Sequence, residues 1–282
     1  MKGLDVDAAM TFLAFVEERH RIWEQRQQGL PQPWTADPVL ATRKFTNVFR
    51  VLDPGSQFVF DIEADTAWDT LARLFFYRYT NLPATWDHVK SVLGRYPLEE
   101  DIGPELERII KDYRDAGNKV FSGAYIIPPN GTGDKVTQVV ELTKRFMTDC
   151  TEDFLAATTQ ADRFKVLERN QGVGKFLAMQ ILTDWGYTTE DREDEFVVLG
   201  PGALKGASAL APGAKPMDVL MWAVEAIRSS PNCPTVRDRK PSWMDVQNCF
   251  CEFSKYVRGP VATTYQPAHP GMQPKPTLPR WW

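Results

Sequence analysis

The sequence predicts an all-α fold that ends in an extended, proline-rich tail. Apolar residues recur at helical spacing from residue 5 to residue 256, whereas the alternation typical of strands is scarce. Six prolines fall within residues 259–282, which excludes an ordinary helix and favours an extended path along the surface. The predicted division is a helical domain over residues 1–258 and a tail over residues 259–282.

The predicted helices follow one another with short connectors. They cover residues 5–28, 65–79, 85–94, 103–114, 135–150, 151–159, 164–170, 176–182, 217–228 and 243–256. A brief extended piece is expected over residues 120–129, before the glycine-rich loop 130–133. The terminal pair Trp281-Trp282 would be unusual on a free tail, so we expect both side chains to dock against the body.

Composition is that of a globular protein without a broad polyanion-binding surface. The chain has 282 residues, 43% of them hydrophobic and 25% charged, and a formal net charge of −4. Nine Trp and sixteen Phe predict an aromatic-rich core or cleft. Any contact with nucleic acid must therefore come from local basic patches.

The cysteine and histidine pattern disfavours a metal site. The four cysteines form no Cys-x-x-Cys pair, and the three histidines are scattered. No signal peptide, membrane-length apolar run or Walker P-loop is found. The sequence thus indicates free thiols in a reducing cytoplasm, no membrane association, no kinase activity and no bound metal or organic cofactor.

The segment Gln171-Gly172-Val173-Gly174-Lys175 lies between two apolar helical patterns and has the spacing of a DNA-binding helix–hairpin–helix element. Its glycines permit positive φ values and close backbone approach. Amides at the start of the second helix, together with Lys175, would contact a backbone phosphate. A Gly-x-Gly turn between helices is equally consistent with a plain connector.

A basic segment at residues 43–50 is the first candidate for substrate binding. If it is helical, Arg43, Asn47 and Arg50 share one face at i, i+4 and i+7, with Thr46 beside them. Two guanidinium groups so placed suit a phosphate or a carboxylate. The alternative is a solvated face paired with nearby acids.

Two acidic clusters are the candidates for catalysis. Asp194 precedes an apolar segment and a second rigid turn, Gly200-Pro201-Gly202, which favours a buried carboxylate, although acidic runs are more often solvated loops. Glu252 shares a helix face with Lys255, and an ordinary helix ion pair is the default interpretation of that spacing.

Four motifs in order resemble one family. "RKFTNVFRVLDPGSQFVF", "GVGKFLAMQILTDWGY", "EDEFVVLGPGALKGA" and "CEFSKY" resemble the α-glutamyl/putrescinyl-thymine pyrophosphorylase-like proteins of bacteriophages, also known as amino acid:DNA transferases. That family is similar to the helical domain of 5-hydroxymethyl-deoxyuridine DNA kinases. The resemblance spans most of residues 40–258. It implies a helical, DNA-glycosylase-like fold and a role in thymidine hypermodification of phage DNA.

The activity that the resemblance implies is replacement of a phosphate or pyrophosphate on phosphorylated 5-hydroxymethyluracil (5-phosphomethyluracil) in double-stranded DNA by the amine of a free amino acid, with glycine favoured, or by another amine. A 5-hydroxymethyluracil DNA kinase would supply the phosphorylated base, in the cytoplasm of the infected bacterial host. Helix–hairpin–helix glycosylases carry a catalytic aspartate shortly after the hairpin, at about the distance of Asp194. The target base would leave the stack to react.

The expected site residues fall into three groups. Those expected to be catalytic are Asp194, Glu252, Asp184 and Lys255. Those expected to bind substrate are Arg43, Thr46, Asn47, Arg50, Gln180, Trp185 and Tyr187. Those expected to bind DNA are Gly172, Gly174, Lys175, Gly200, Gly202 and Lys205.

Two other functions remain open from the sequence. A DNA N-glycosylase would use the same hairpin and an aspartate against the sugar, leaving abasic sites. A non-catalytic DNA-binding module would tolerate loss of Asp194 and Glu252.

Overall fold

A computed structural model of the protein describes residues 3–123, 133–189, 196–262 and 274–282. Within these ranges the chain is all-helical and contains no strand, which confirms the predicted fold class. The α-helices are α1 (Val6–Gln27), α2 (Pro38–Thr42), α3 (Pro54–Asp61), α4 (Ala67–Thr80), α5 (Pro83–Leu93), α6 (Pro104–Asp115), α7 (Lys135–Ala156), α8 (Gln160–Glu168), α9 (Lys175–Thr188), α10 (Pro201–Leu210), α11 (Pro216–Ser229) and α12 (Trp243–Tyr256). Two short 3-10 helices cover Arg50–Leu52 and Glu99–Asp101.

Several differences from the predicted elements have local causes. The helices expected over residues 135–150 and 151–159 are one continuous α7, because no Gly or Pro interrupts the chain at Cys150. Helix α3 was missed because its Pro-Gly start has the composition of a turn, whereas Pro is well tolerated in the first helical turn. The extended piece expected over residues 120–129 and the loop 130–133 fall mostly outside the described residues. No described helix is long and apolar enough to cross a membrane.

The chain forms two compact units. Unit 1 comprises Met1–Asp53, Asp194–Leu278 and Trp282, and unit 2 comprises Pro54–Glu193 and Pro279–Trp281. The boundary between a helical domain and a tail at residue 258 stays a prediction.

The core of unit 1 is an aromatic cluster between α1 and α12. The Phe12 ring lies 5.3 Å from the Phe250 ring and 5.3 Å from the Phe253 ring, measured between centroids. Phe15 packs against Tyr256 at 4.7 Å. These residues recur at helical spacing on the two helices, so burial of one face of each helix explains their position.

The core of unit 2 surrounds α4, on which eleven consecutive residues from Thr70 to Thr80 are buried. The Phe75 ring stacks on the Phe146 ring of α7 with centroids 4.2 Å apart. The buried Arg73 guanidinium donates to main-chain carbonyls, including that of Pro97 at 2.7 Å. Its hydrogen bonds offset the cost of burying a charge.

Each terminal tryptophan docks onto its own unit. The Trp282 indole N–H donates to the carbonyl of Val236 at 3.0 Å in unit 1. The Trp281 indole N–H donates to the carbonyl of Gly186 at 2.6 Å in unit 2. Both side chains are therefore held, as the sequence suggests for aromatic residues at a chain end.

The closest helix packing in unit 1 depends on two glycines of α10. A Cβ atom added at Gly202 would lie 2.5 Å from the Cys251 Sγ atom, and one added at Gly206 would overlap the carbonyl of Phe250 and lie 2.9 Å from its Cα atom. The small residues at i and i+4 let the backbones of α10 and α12 approach closely. This contact fixes the position of α12.

We expect Gly206→Ala to destabilise the protein despite the better helix propensity of Ala. Propensity alone would raise the free energy of unfolding by up to about 1 kcal/mol. Overpacking costs about 1–3 kcal/mol, and here the obstructing atoms are main-chain atoms that cannot rotate away. Urea denaturation should therefore show a net decrease in the free energy of unfolding. Ser208→Ala, an exposed change on the same helix, is the control. Greater stability of Gly206→Ala would contradict the close approach.

Candidate functional site

One face of α12 carries a row of polar side chains on an otherwise apolar helix. Asp245, Asn248, Glu252 and Lys255 follow one another at intervals of three, four and three residues. This spacing places them on one side of the helix. Asp245 belongs to the capping box that begins α12, and its side chain also reaches beyond the helix.

The row contacts the main chain of residues 44–50. The Arg50 N–H donates to the Asp245 carboxylate at 2.8 Å, within the buried interior of unit 1. The Thr46 N–H donates to Glu252 Oε2 at 3.1 Å. Asn248 Nδ2 donates to Thr46 Oγ1 at 3.0 Å. Side chains of α12 thus satisfy main-chain and hydroxyl groups of this segment.

Arg19 of α1 contacts the same segment from another helix. Its Nη2 atom donates to the carbonyl of Thr46 at 2.8 Å and to that of Asn47 at 2.9 Å. The side chain is only 4% exposed. Its Nη1 atom is buried and has no hydrogen-bond partner among the described residues by geometric criteria. The guanidinium also lies near the Cys249 thiol, whose pKa burial raises to about 11 against the opposing influence of Arg19.

The expectation that Arg43, Asn47 and Arg50 share a helix face is wrong. Helix α2 ends at Thr42, and the next helical residue is Arg50, in a 3-10 turn. The N–H groups of Thr46 and Asn47 donate to the carboxylates of Glu252 and Asp53 instead of to carbonyls four residues earlier, and residues 43–49 are not helical. Arg43 Nε donates to the carbonyl of Gly259 at 2.5 Å, and Arg50 is buried.

Asp53 joins this cluster through Asn47. The Asn47 N–H donates to Asp53 Oδ1 at 2.8 Å, and Asn47 Nδ2 donates to the carbonyl of Leu52 at 2.8 Å. Desolvation raises the pKa of Asp53 to about 7, although the Asn47 hydrogen bond and the charge of Arg50 act in the opposite direction. A carboxyl group whose pKa is moved this far is a candidate functional group.

Glu252 and Lys255 form the ion pair that their spacing suggested. The Lys255 Nζ atom lies 2.5 Å from Glu252 Oε2, and the Lys255 side chain is about one third exposed. Lys255 Nζ also donates to the carbonyl of Lys44 at 3.4 Å. Glu252 itself is 4% exposed. Its role as a base stays a prediction. In that role the Glu252 carboxylate, which is mostly buried and paired with Lys255, would have to accept the proton of the incoming amine.

A cavity of about 130 Å³ lies in unit 1 beside this cluster. Arg43, Thr46 and Asn47 line it, so three of the residues predicted to bind substrate share one cavity. Its other lining residues are Arg19, Ile22, Trp23, Arg26, Gln32, Pro33, Trp34, Thr35, Leu40, Ala41 and Phe45. Three arginines and no carboxylate side chain are among the described residues that line it. The cavity is therefore suited to an anion.

The predicted residues of α9 lie in unit 2, and all four are buried. The Asp184 carboxylate is inaccessible and receives two hydrogen bonds from Arg78, one of them Nη2 to Oδ1 at 2.6 Å. Removing one partner of such a pair typically costs about 3–5 kcal/mol, so a structural role is favoured for Asp184. Gln180 is 4% exposed.

The two aromatic residues of α9 pack against neighbours in unit 2. The Trp185 ring lies edge-on to the Phe154 ring at 5.3 Å, and its indole nitrogen is buried without a hydrogen-bond partner in the described part of the chain. The Tyr187 ring stacks on the Phe60 ring at 6.4 Å. Holding a flipped base with either residue would require them to leave these contacts.

The Gly172–Lys175 hairpin connects α8 to α9. Gly172 has φ = +93°, a conformation that favours glycine, whereas Gly174 caps α9 in the extended region with φ = −79°. The expectation that both glycines supply positive φ is thus correct for Gly172 alone. Lys175 begins the helix with its side chain 71% exposed, and its Nζ atom lies 3.9 Å from Glu168 Oε1. Contact of this hairpin with DNA stays a prediction.

The second glycine-rich motif is the first turn of α10 and not a separate rigid turn. Gly200 is the N-cap, Pro201 occupies the first helical position, and Gly202 lies inside the helix against Cys251. Pro at that position is pre-organised for a helix, which explains the difference. Lys205 is exposed on α10. Close packing of α10 against α12 explains why residue 202 is a glycine, so this glycine is not evidence for DNA contact.

The predicted site residues are therefore divided between the units. Thr46, Asn47, Arg50, Glu252 and Lys255 meet in unit 1. Asp194 lies outside the described residues, and its catalytic role stays a prediction.

Four residues of the cluster were not predicted, and two sequence signals could have indicated three of them. Arg19 follows Phe12, Phe15 and Val16 at helical spacing, so it interrupts the apolar face of α1 with a charge. Asp245 and Asn248 continue the polar row of Glu252 toward the helix start. Asp53 carries no such signal, because Asp before Pro at a helix start is the pattern of an ordinary N-cap.

We expect Asp53→Asn to stabilise the protein increasingly between pH 4 and pH 7. The folded state retains a proton that the unfolded state releases near pH 3.8, so the contribution of Asp53 to stability falls as the pH rises through this window and is constant above about pH 7. The maximum effect is about 1.4 kcal/mol for each unit of pKa difference, reduced by the partial exposure of the residue. Urea denaturation of both proteins at each pH measures the difference. A difference that does not change between pH 4 and pH 8 would contradict the raised pKa.

Comparison with known proteins places this chain in a family. The family model for the helical domain of 5-hmdU DNA kinase matches residues 7–265. The 5-hmdU DNA kinase of Bacillus phage SP10 is 27% identical over 225 residues, which cover 70% of this chain and 35% of that relative. The chain thus spans about a third of the relative's length. No solved structure matches the chain. The resemblance to this helical domain is confirmed, and the chain belongs to the 5-hmdU DNA kinase helical-domain family.

Proposed function

We propose that this chain takes part in thymidine hypermodification of phage DNA, as a transferase that places an amine on the 5-methylene carbon of phosphorylated 5-hydroxymethyluracil. Membership of the helical-domain family supports the pathway. The observation that supports the reaction is an arginine-lined cavity whose lining residues Thr46 and Asn47 hydrogen-bond to the carboxylates of Glu252 and Asp53, because the reaction needs anion binding close to a proton acceptor.

The proposed step is a substitution with phosphate as the leaving group. The amine nitrogen of a free amino acid, glycine in the first instance, forms a bond to the methylene carbon while the bond from that carbon to the phosphate oxygen breaks. The proton that the ammonium group carries at neutral pH passes to a carboxylate before attack. Inorganic phosphate leaves with both electrons of the broken bond, and cationic side chains offset its charge.

The candidate proton acceptors are Asp194 and Glu252, with Asp53 as a third. A general base works best when its pKa lies near the working pH, and the pKa of Asp53 is about 7. Arg43 and Arg50 are the proposed contacts for anionic groups of the substrates. Thr46 and Asn47 line the cavity and connect it to Glu252 and Asp53 through their main-chain N–H groups.

Double-stranded DNA is the proposed macromolecular substrate. The hairpin would contact a phosphate through the amides at the start of α9, which positions the duplex without specifying a sequence. The target base would then be flipped out of the stack. A kinase such as the SP10 relative would supply the phosphorylated base, in the cytoplasm of the infected host.

We expect Gly174→Val to weaken duplex binding without changing the fold. Gly174 has an extended conformation that any residue adopts, and no atom lies within 4 Å of an added Cβ, so the variant should fold normally. The branched side chain would obstruct a phosphate that approaches the helix start. Binding to duplexes of two unrelated sequences, measured at one low salt concentration, should fall equally for both. Unchanged affinity would place the DNA contact elsewhere.

We expect Asp194→Asn and Glu252→Gln to bind modified DNA and transfer slowly, because loss of a general base typically costs about 100-fold to 10,000-fold in rate. The assay incubates the protein with 5-phosphomethyluracil DNA and a panel of amino acids, followed by mass spectrometry of the nucleosides. Glu225→Gln, an exposed change on α11, is the control.

Each outcome of this assay has a distinct meaning. A higher pH should partly rescue a base variant by supplying free amine. Wild-type turnover in both variants would remove Asp194 and Glu252 from the mechanism. Abasic sites in place of a new amine would establish the N-glycosylase alternative. DNA binding without any product from the wild-type protein would indicate a non-catalytic module.

A further inference from the structure

We propose that the cavity of unit 1 binds a small molecule through its carboxylate or phosphate group, by Arg19 and Arg26, two residues outside the motifs of the proposed transferase site. The inference deepens the proposed function and rests on it only for the source of the anion. The ligand's carboxylate or phosphate group would accept hydrogen bonds from both guanidinium groups, and its body would lie among the aromatic side chains of the cavity.

The strongest indication is a pair of buried donors. Arg19 Nη1 and Arg26 Nε have no hydrogen-bond partner among the described residues, and both side chains line the cavity. Leaving a buried donor of a charged group unsatisfied costs at least about 1–3 kcal/mol. The Cys249 thiol lies within hydrogen-bonding reach of the Arg19 guanidinium, but a thiol is a weak acceptor and does not neutralise its charge. An oxyanion in the cavity would satisfy both donors.

The walls of the cavity are fixed before any ligand binds. The Arg26 guanidinium lies over the Trp34 ring, 5.4 Å from its centroid, and the Trp34 indole N–H donates to the carbonyl of Leu30 at 2.8 Å. The Trp23 ring stacks on the His20 ring at 5.3 Å. Pre-organised walls reduce the entropy that a ligand loses on binding.

Size and charge together define the ligand class. A dry cavity of about 150 Å³ accommodates benzene, and this cavity measures about 130 Å³. A group of that size is a small amino acid or the ring of a single pyrimidine, and the cavity opens to solvent, so a larger molecule could extend out of it. Arg19, Arg26 and Arg43 supply positive charge, whereas Ile22 and Leu40 supply apolar wall.

The test uses the full chain and three probes: glycine, inorganic phosphate and thymidine 5′-monophosphate. Calorimetric titration measures the affinity of each for the wild-type protein, for Arg26→Gln and for Arg21→Gln. Arg21 lies on the same helix with its side chain 58% exposed and pairs with Glu18, so its loss controls for a general change of charge. One charge-assisted hydrogen bond is worth about 1.5–3 kcal/mol, so Arg26→Gln should weaken binding about 10-fold to 100-fold.

The three probes distinguish the sources of the anion. Binding of glycine alone identifies the site of the amine donor, binding of thymidine 5′-monophosphate alone identifies a site that recognises a pyrimidine nucleotide, and equal binding of thymidine 5′-monophosphate and inorganic phosphate identifies a phosphate site. Any of these outcomes supports the proposal if Arg26→Gln weakens binding of the probe and Arg21→Gln does not. No binding by any probe, or equal binding by Arg26→Gln, would overturn it.

A second variant covers the case in which Arg26→Gln does not fold. Ala41→Leu adds a side chain to the wall of the cavity and leaves every charge in place. It should abolish binding of the same probe, and unchanged binding would overturn the proposal. These titrations need no turnover, so a protein that binds the probe but transfers nothing would refute the proposed reaction while the anion site stands.

Discussion

The main chain of residues 44–50 is the constraint on which the site of unit 1 depends. An extended segment inside a helical unit has no neighbouring strand, so its N–H and C=O groups need other partners. Arg19 supplies donors for two carbonyls, while Glu252 and Asp245 supply acceptors for two N–H groups. Loss of one of these side chains would leave a buried main-chain group unsatisfied. The polar residues of the cluster are therefore structural as well as candidate functional groups.

The position of that cluster depends in turn on glycine packing. Gly202 and Gly206 bring α10 against α12, and α12 carries Asp245 and Glu252 toward the extended segment. A larger residue on α10 would displace the whole polar row. Helix packing inside unit 1 thus explains the glycines of the motif at residues 200–206, and a role of this motif in DNA contact needs separate support.

The fold class followed from periodicity, whereas the site depended on contacts that periodicity does not encode. Helices such as α12 have apolar positions at regular spacing and were predicted with their correct ends. Residues 43–49 have good helical spacing and are nevertheless extended, because side chains from α1 and α12 bind their main chain more effectively than a helix would. No local pattern at Arg43 or Arg50 reveals partners about 200 residues away. Arg19, a charge on an apolar helix face, and the polar row of Asp245 and Asn248 on α12 are the two signals that the sequence does contain.

Buried charge has different consequences in the two units. In unit 2, Asp184 and Arg78 neutralise one another with two hydrogen bonds, and the pair is completed within the chain. In unit 1, two nitrogens of Arg19 donate to main-chain carbonyls, which carry no full negative charge, and its third nitrogen is buried without an oxygen acceptor among the described residues. Of the acids in this cluster, Glu252 is paired with Lys255, Asp245 accepts hydrogen bonds from the Arg50 main chain and from Ser242, and desolvation disfavours the charged form of Asp53. No carboxylate is among the described residues that line the cavity, so an anion from solution would complement the arginines there.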